Sequence, residues 1–425
     1  MPRTPIIPPD PAPARHIASR AVSEEFPRRG KIRVLGSDSL HLENPDPGTV
    51  YDVAIVGAGP AGSTAARLLA EGGARVALID KAALPRYKTC GGGVLGRAYR
   101  RLPDIAHCAV EREFRTIALN FLDGGPTLSA TRKEPLVHMT MRPELDHRLA
   151  LAARDAGAEL VESCPIRCIT EHADGVTLES DTHHFHARFV IGADGIHSVV
   201  AKAGGWSDLP HLAPALEWEV TVAPEDFARI QGDARFDFDV IESGYAWVFP
   251  KHDHLSIGIL SVTPRYRDLQ KRLEEYMSRL ALGDIVKIDR HGWLIPLAPR
   301  REPLARGRIL LVGDAAGLVD PITAEGISNS LLSGQLAATA LLESQFDPNA
   351  VADRYLSLLR PAVLNELRAA RLLARFLYKH AGLRRWAFRR HGQRLVDFVA
   401  DIAAGDRGYC ETLLKSASYL KLLRR

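Results

Sequence analysis

No apolar run in the 425 residues approaches the roughly 20 that a membrane-spanning helix requires. The opening segment "MPRTPIIPPDPAPARHIASR" is broken by prolines and holds no apolar stretch of signal-peptide length. Cysteine is scarce and odd in number, with Cys90, Cys108, Cys164, Cys168 and Cys410, which fits reduced thiols better than a disulfide framework. Together these absences lead us to expect a cytoplasmic protein. "CPIRC" offers Cys164 and Cys168 but no second ligand pair at zinc-site spacing, so no metal is expected. The cluster His183, His184 and His186 lies on a strand-forming segment, and a surface hairpin accounts for it without a metal. A GxSxG elbow, a Walker loop and internal repeats are also missing.

A hydrophobic fraction of 46% and a charged fraction of 25% are those of a soluble globular chain, and the length suggests two or so domains. The formal charge of +4 is unevenly spread: residues 366–425 hold 14 Lys and Arg against 5 Asp and Glu, an excess of +9 that leaves −5 elsewhere. In "RLLARFLYKHAGLRRWAFRRHGQRLVDFVADI" these cations alternate with Leu, Phe and Trp at helical spacing. Such helices either pack on the body with a solvated basic face or meet anionic lipid head groups, giving a peripheral membrane contact. No nucleic-acid-binding motif accompanies the charge, so nucleic acid is not an expected partner. Residues 1–50 read as a proline-rich extension in which "KIRVLG" could add an edge strand.

"YDVAIVGAGPAGSTAARLLAEGGARVALIDKA" reads as strand, tight turn, helix and strand. Gly57 permits the turn, Gly59 admits a pyrophosphate, and Gly62 lets helix and strand pack closely. Phosphates then sit at the helix N-terminus, and Asp80 ends the second strand where a ribose hydroxyl would bind. Two further apolar strands close on Gly192, Asp194 and Gly195 and on Gly313 and Asp314, so three strand ends can converge on one dinucleotide. Between residues 205 and 262, "LEWEVTV", "ARFDFDVI", "YAWVFP" and "LSIGILSV" alternate, which predicts antiparallel strands with one covered face. Period two puts Tyr245, Trp247 and Phe249 on one side.

The three ordered motifs resemble the FAD-binding signature of the p-hydroxybenzoate hydroxylase and geranylgeranyl reductase superfamily. "PRYKTCGGG" and "YAWVFPK" are similar to the PxxYxxCGG and YxWxFP motifs of its reductase branch, and the likeness spans most of residues 50–380. It implies an α/β fold: a Rossmann-like FAD-binding domain over 51–205 and 295–345, an inserted antiparallel β-sheet substrate domain over 206–294, and basic C-terminal helices over 346–425. It also implies that Pro60, Ala61, Lys81, Cys90, Gly91, Gly93, Arg142, Ile166, Asp194, Asp314, Gly326 and Ile327 join Gly57, Gly59, Gly62 and Asp80 around FAD. The helix after Gly326 would turn its positive end to the flavin. Tyr245, Trp247, Phe249 and Pro250 would hold the substrate.

The implied activity is reduction of carbon–carbon double bonds in a polyprenyl chain on a lipid, a diphosphate or a quinone, by a monomer. With no second nucleotide-binding segment in the sequence, NAD(P)H or reduced ferredoxin would deliver electrons. An isolated alkene must receive a proton in a water-poor site, and Cys90, Tyr245 and Trp247 are the candidate reactive residues. A thiol is a weak acid for this task, so Cys90 is expected to wall the flavin or substrate pocket. Two alternatives stand beside this reading. "SGYAWVFP" also resembles the GWxWxIP element of flavin-dependent halogenases, which share their fold with monooxygenases, and a flavin-stabilised lipid-binding protein would need no chemistry.

Overall fold

The computed structural model describes residues 50–414. The expected edge strand in "KIRVLG" lies outside them. The strand Val50–Val56 runs parallel to Val76–Ile79 on one side and to His184–Gly192 on the other. Glu159–Val161 and Ile309–Leu311 extend this parallel sheet outwards. Its central strands are apolar on both faces because helices cover both, the usual setting of a parallel sheet. Cys168–Glu171 and Val176–Glu179 add an antiparallel hairpin to His184–Gly192, so the histidine cluster sits on a hairpin.

The helix Pro60–Glu71 packs against Ile327–Glu343, and Gly334 makes this contact possible. A Cβ at Gly334 would stand 2.2 Å from the Ala61 carbonyl oxygen. The N-termini of both helices therefore open at the C-terminal edge of the sheet.

A second, seven-stranded sheet runs in the order Ile285–Pro296, Leu212–Val222, Leu255–Ser261, Gly244–Pro250, Ala234–Phe238, Thr116–Phe121, Thr127–Thr131. Two findings differ from the sequence reading. The last two strands come from residues 116–131, and Ala234–Phe238 pairs with Thr116–Phe121 in parallel, so the sheet recruits chain from both sides of residue 205. Gly244–Pro250 and Leu255–Ser261 are buried throughout, not on one face. The helix Leu269–Arg279 covers one face through Leu269, Leu273 and Tyr276, and the C-terminal helices cover the other.

Those helices, Asn365–Lys379 and Ala381–Ala404, bring Ala374, Tyr378, Phe388, Val396 and Ala400 into one cluster with Tyr245, Trp247 and Phe249. Among the described residues no helix is long and apolar enough to cross a membrane.

Candidate functional site

Gly57 adopts φ +105°, a left-handed conformation that only glycine takes without strain, and the turn it makes abuts the end of His184–Gly192. A Cβ there would lie 2.4 Å from the Ala193 carbonyl oxygen, and one on Gly62 would lie 1.9 Å from the Gly57 carbonyl oxygen. Around Gly59 the space is open, with the Arg86 guanidinium nearest at 3.9 Å. Gly59 is the N-cap of the helix that Pro60 and Ala61 begin, so its free N–H groups face that space.

Asp80 is buried and already engaged. It accepts the Ala58 N–H at 2.8 Å and the Ala82 N–H at 3.0 Å, and pairs with Arg86 at 3.3 Å. Arg86 also reaches Asp146 at 3.0 Å. Asp146 in turn holds Arg142 by two bonds, of 2.7 and 2.8 Å, from the next turn of helix Arg142–Asp155. Burial opposes the Arg142 charge, but Asp146 outweighs it and the guanidinium's pKa is raised. Arg142 is thus a fixed cation beside the Cys90 thiol. Asp146 was missed by sequence reasoning, although its i,i+4 spacing from Arg142 was a visible signal. Of the remaining predicted contacts, Lys81 is solvent-exposed and Ile166 is part of the parallel-sheet core.

Asp194 accepts the Val199 and Val200 N–H groups at 2.7 and 3.3 Å through one oxygen. Its other oxygen is buried without a partner, and burial raises its pKa. Asp314 opens the short helix Gly313–Ala316 beneath Gly326, where an added Cβ would stand 3.3 Å from its carboxylate. Gly326 caps helix Ile327–Glu343, so the positive helix end, Asp314 and the Cys90 loop share one neighbourhood. Lys88, from the same loop, has its pKa lowered by burial, a shift that Asp314 partly offsets.

The loop then meets the second sheet. Gly92 has φ +66°, and a Cβ on it would come within 2.0 Å of the Thr140 carbonyl oxygen and 2.4 Å of Lys251 Nζ. A Cβ on Gly91 would touch Phe249 at 3.0 Å and Trp247 Nε1 at 3.1 Å. These two glycines therefore allow the loop's close approach to the protein's own aromatic face. Gly93 begins a short strand, Gly93–Leu95, that pairs with Val137–Thr140. Cys90 Sγ accepts the Gly92 N–H at 3.4 Å and is half-buried beside the cluster that contains Ile327 and Leu331. Lys251, unassigned from sequence although it ends the quoted motif, is fully buried and donates to the carbonyls of Gly91 at 2.7 Å and Thr140 at 3.0 Å.

Tyr245, Trp247 and Phe249 share one face with Phe236, whose ring lies 5.7 Å from Tyr245 and 5.2 Å from Phe249. Gly258 makes room for the indole, since a Cβ there would lie 2.1 Å from Trp247. Pro250 is buried at the end of this strand. The Tyr245 hydroxyl donates to the Thr323 carbonyl at 2.5 Å, and burial raises its pKa. In this structure its proton is therefore engaged by a carbonyl.

These residues fit a flavin dinucleotide: there is open space at Gly59 and at Gly195, and Ser63 Oγ and Asp194 Oδ1, from the first helix and the second strand end, are buried without partners.

Residues 50–276 match the family of FAD binding domains. Digeranylgeranylglycerophospholipid reductase 1 of Methanopyrus kandleri is 31% identical over 313 residues, covering 69% of this chain and 81% of the relative. Among solved structures, a geranylgeranyl bacteriochlorophyll reductase-like protein of Thermoplasma acidophilum aligns with TM-score 0.66 and 23% identity over 84% of this chain and 91% of that one. Halogenase PltM in complex with phloroglucinol and FAD aligns with TM-score 0.66 and 19% identity over 84% and 83%. Both structural likenesses concern the fold alone.

Proposed function

Because this chain belongs to the geranylgeranyl reductase family of FAD-dependent oxidoreductases, we propose that it saturates double bonds of a polyprenyl chain carried on a membrane lipid. The observation that carries this reading is the aromatic face of Phe236, Tyr245, Trp247 and Phe249, laid against the Cys90–Gly93 loop and near the start of helix Ile327–Glu343. When bound and reduced, FAD would supply a hydride. The glycines of the first turn and the first helical N–H groups would hold its phosphates, and Arg142 and Asp314 would flank its ring end. Tyr245, Trp247 and Phe249 would line the apolar slot and exclude water, which leaves an alkene no competing proton source. NAD(P)H or reduced ferredoxin is the proposed electron donor.

Anaerobic, dithionite-reduced protein is expected to add two hydrogens per double bond to a geranylgeranyl lipid, read by mass spectrometry. Oxygen-dependent hydroxylation or halogenation would instead establish the alternative chemistry. Cys90→Ala should retain FAD while impairing reduction. Loss of FAD, or wild-type turnover, would remove Cys90 from the pocket wall.

The proposal extends to the membrane. Residues 367–396 carry nine Arg and Lys and no Asp or Glu. Arg384 turns inward to Asp239 and Arg385 pairs with Asp123 at the surface, while Arg371, Arg375, Lys379, Arg389, Arg390 and Arg394 are exposed. Among them stand Leu372, Leu383 and Trp386, exposed by 60%, 45% and 52%. Each cation near an anionic surface contributes about 1 kcal/mol, so changing Arg389, Arg390 and Arg394 together to Gln should weaken binding to phosphatidylglycerol vesicles roughly 100-fold. Vesicle co-sedimentation at low salt measures this. Equal binding of variant and wild type would remove the surface from the proposal.

A further inference from the structure

With Tyr245 committed to a carbonyl, the proton that alkene reduction consumes needs another source, and the register of the second sheet places one. Gly244–Pro250 pairs Trp247 with Gly258 and Phe249 with Ser256, and the same two residues of Leu255–Ser261 pair with Glu217 and Glu219. Directly opposed residues project to one face, so Glu217 and Glu219 lie in the same rows as Trp247 and Phe249. Glu217 is 1% exposed and Glu219 8%.

Tyr87, from the loop that also carries Cys90, places its hydroxyl 3.0 Å from Glu217 Oε2 and 3.4 Å from Glu219 Oε1. Its ring stacks on His291 with centroids 4.1 Å apart. Ser256 Oγ donates to Glu217 Oε1 at 2.8 Å. His254 Nε2 stands 3.1 Å from Glu219 Oε2, an ion pair out of line for a hydrogen bond, and the other ring nitrogen meets Asp253 at 2.8 Å. Lys251 and, beyond it, Glu111 add charge near the pair, and strand Ile285–Pro296 sets His291 opposite Glu217 and Asp289 opposite Glu219.

Two buried carboxyl groups that share a hydroxyl cannot both ionise. His254 and Lys251, the latter with its pKa lowered by burial, favour charge on Glu219, whereas the hydrogen-bond donors to Glu217 are the Ser256 and Tyr87 hydroxyls. Burial, and then the charge of Glu219, push the Glu217 carboxyl up to about 8. Tyr87 is 41% exposed at the rim, yet partial burial and then the charges of Glu217 and Glu219 raise its pKa, so the phenol passes on only a proton that it receives in return.

We infer that Glu217 holds the proton used in the reduction and that Tyr87 is its outlet on the Cys90 loop. The inference rests on the polyprenyl reading. As one alkene carbon gains the hydride, the other gains the Tyr87 proton, while the Glu217 proton moves to the Tyr87 oxygen. Glu217 is left as a carboxylate and is recharged from solvent through the Tyr87 hydroxyl, whose side chain is exposed. Because the acid form is the active one, turnover falls as pH rises through about 8.

Infrared spectroscopy of the purified protein tests the stored proton without turnover. A protonated-carboxyl band is expected at pH 7, lost on titration through about 8 and absent from Glu217→Gln. A wild type without the band, or a Gln variant that keeps it, overturns the assignment. Tyr87→Phe should retain the band. With reduced protein and a geranylgeranyl lipid, both variants should lose at least about 100-fold in rate, the range of positioned acid catalysis, and Glu217→Gln should lose the alkaline fall in rate. Wild-type rates and pH profile in both variants would overturn the outlet. A wild type with the band but inactive on every prenyl substrate overturns the polyprenyl reading and leaves the proton on Glu217 standing.

Discussion

Replacing Gly62 by valine should yield a chain that binds no FAD. The added Cβ would stand 1.9 Å from the Gly57 carbonyl oxygen and 3.0 Å from the Ala193 Cβ. Neither neighbour is a flexible side chain. Gly57 is held at φ +105° against the backbone of Ala193, so it cannot retreat, and the helix Pro60–Glu71 must tilt away from its strand. That tilt takes the helix N-terminus from the phosphate position and opens the contact that Ala61 makes with Gly334. Overpacking of ordinary core side chains costs about 1–3 kcal/mol, and a backbone obstacle should exceed that range. Flavin absorbance of the purified variant, with its thermal midpoint, measures both consequences. Gly59→Ala is the matched control, because its Cβ meets only the Arg86 guanidinium at 3.9 Å. That fold should keep its thermal midpoint while FAD binds more weakly, since the methyl group enters the phosphate space. A yellow, fully stable Gly62→Val protein would contradict the account.

Arg384→Met should be among the most destabilising single changes available outside the nucleotide site. Arg384 and Asp239 have side chains 1% and 2% exposed and pair at 2.5 Å. Arg384 also donates to the Leu377 carbonyl at 3.0 Å, which ties the turn between the two C-terminal helices to the second sheet. Removing one member of a buried pair leaves the other charged and desolvated, at about 3–5 kcal/mol. Arg385 Nε, 3.7 Å from the same carboxylate, can recover part of this. The thermal midpoint should drop by several degrees, and Arg384→Met/Asp239→Asn should recover much of the loss because no charge is stranded. The same helices cover the aromatic face, so prenyl-lipid turnover should fall with stability in the single variant. An unchanged midpoint would show that the pair is not a closure of the slot.

How much of this was legible before the chain was folded differs from one feature to the next. The nucleotide turn was readable because its requirements are local: three glycines, a strand and a helix within about 30 residues obey steric rules that act between near neighbours. The shared face of Tyr245, Trp247 and Phe249 followed from the period of a single strand. The C-terminal helices followed from spacing, although Arg384 was not separable from its exposed neighbours without knowing where Asp239 lies.

Other features had no local signal. Glu217 and Tyr87 are 130 residues apart in sequence, and only the pairing of three strands puts the two acids on the aromatic face. The recruitment of residues 116–131 into the second sheet, the burial of its central strands on both faces and the clamp of Lys251 on Gly91 depend on the same long-range register. By itself the sequence determined the dinucleotide turn and the elements of its most periodic segments, because steric exclusion and periodicity act within a few residues, while its motifs carried the resemblance to the family. The tertiary structure alone decided which polar groups stand beside the aromatic face and which glycines pack against it. Register between distant strands is set by burial of whole faces, and no short segment carries that information.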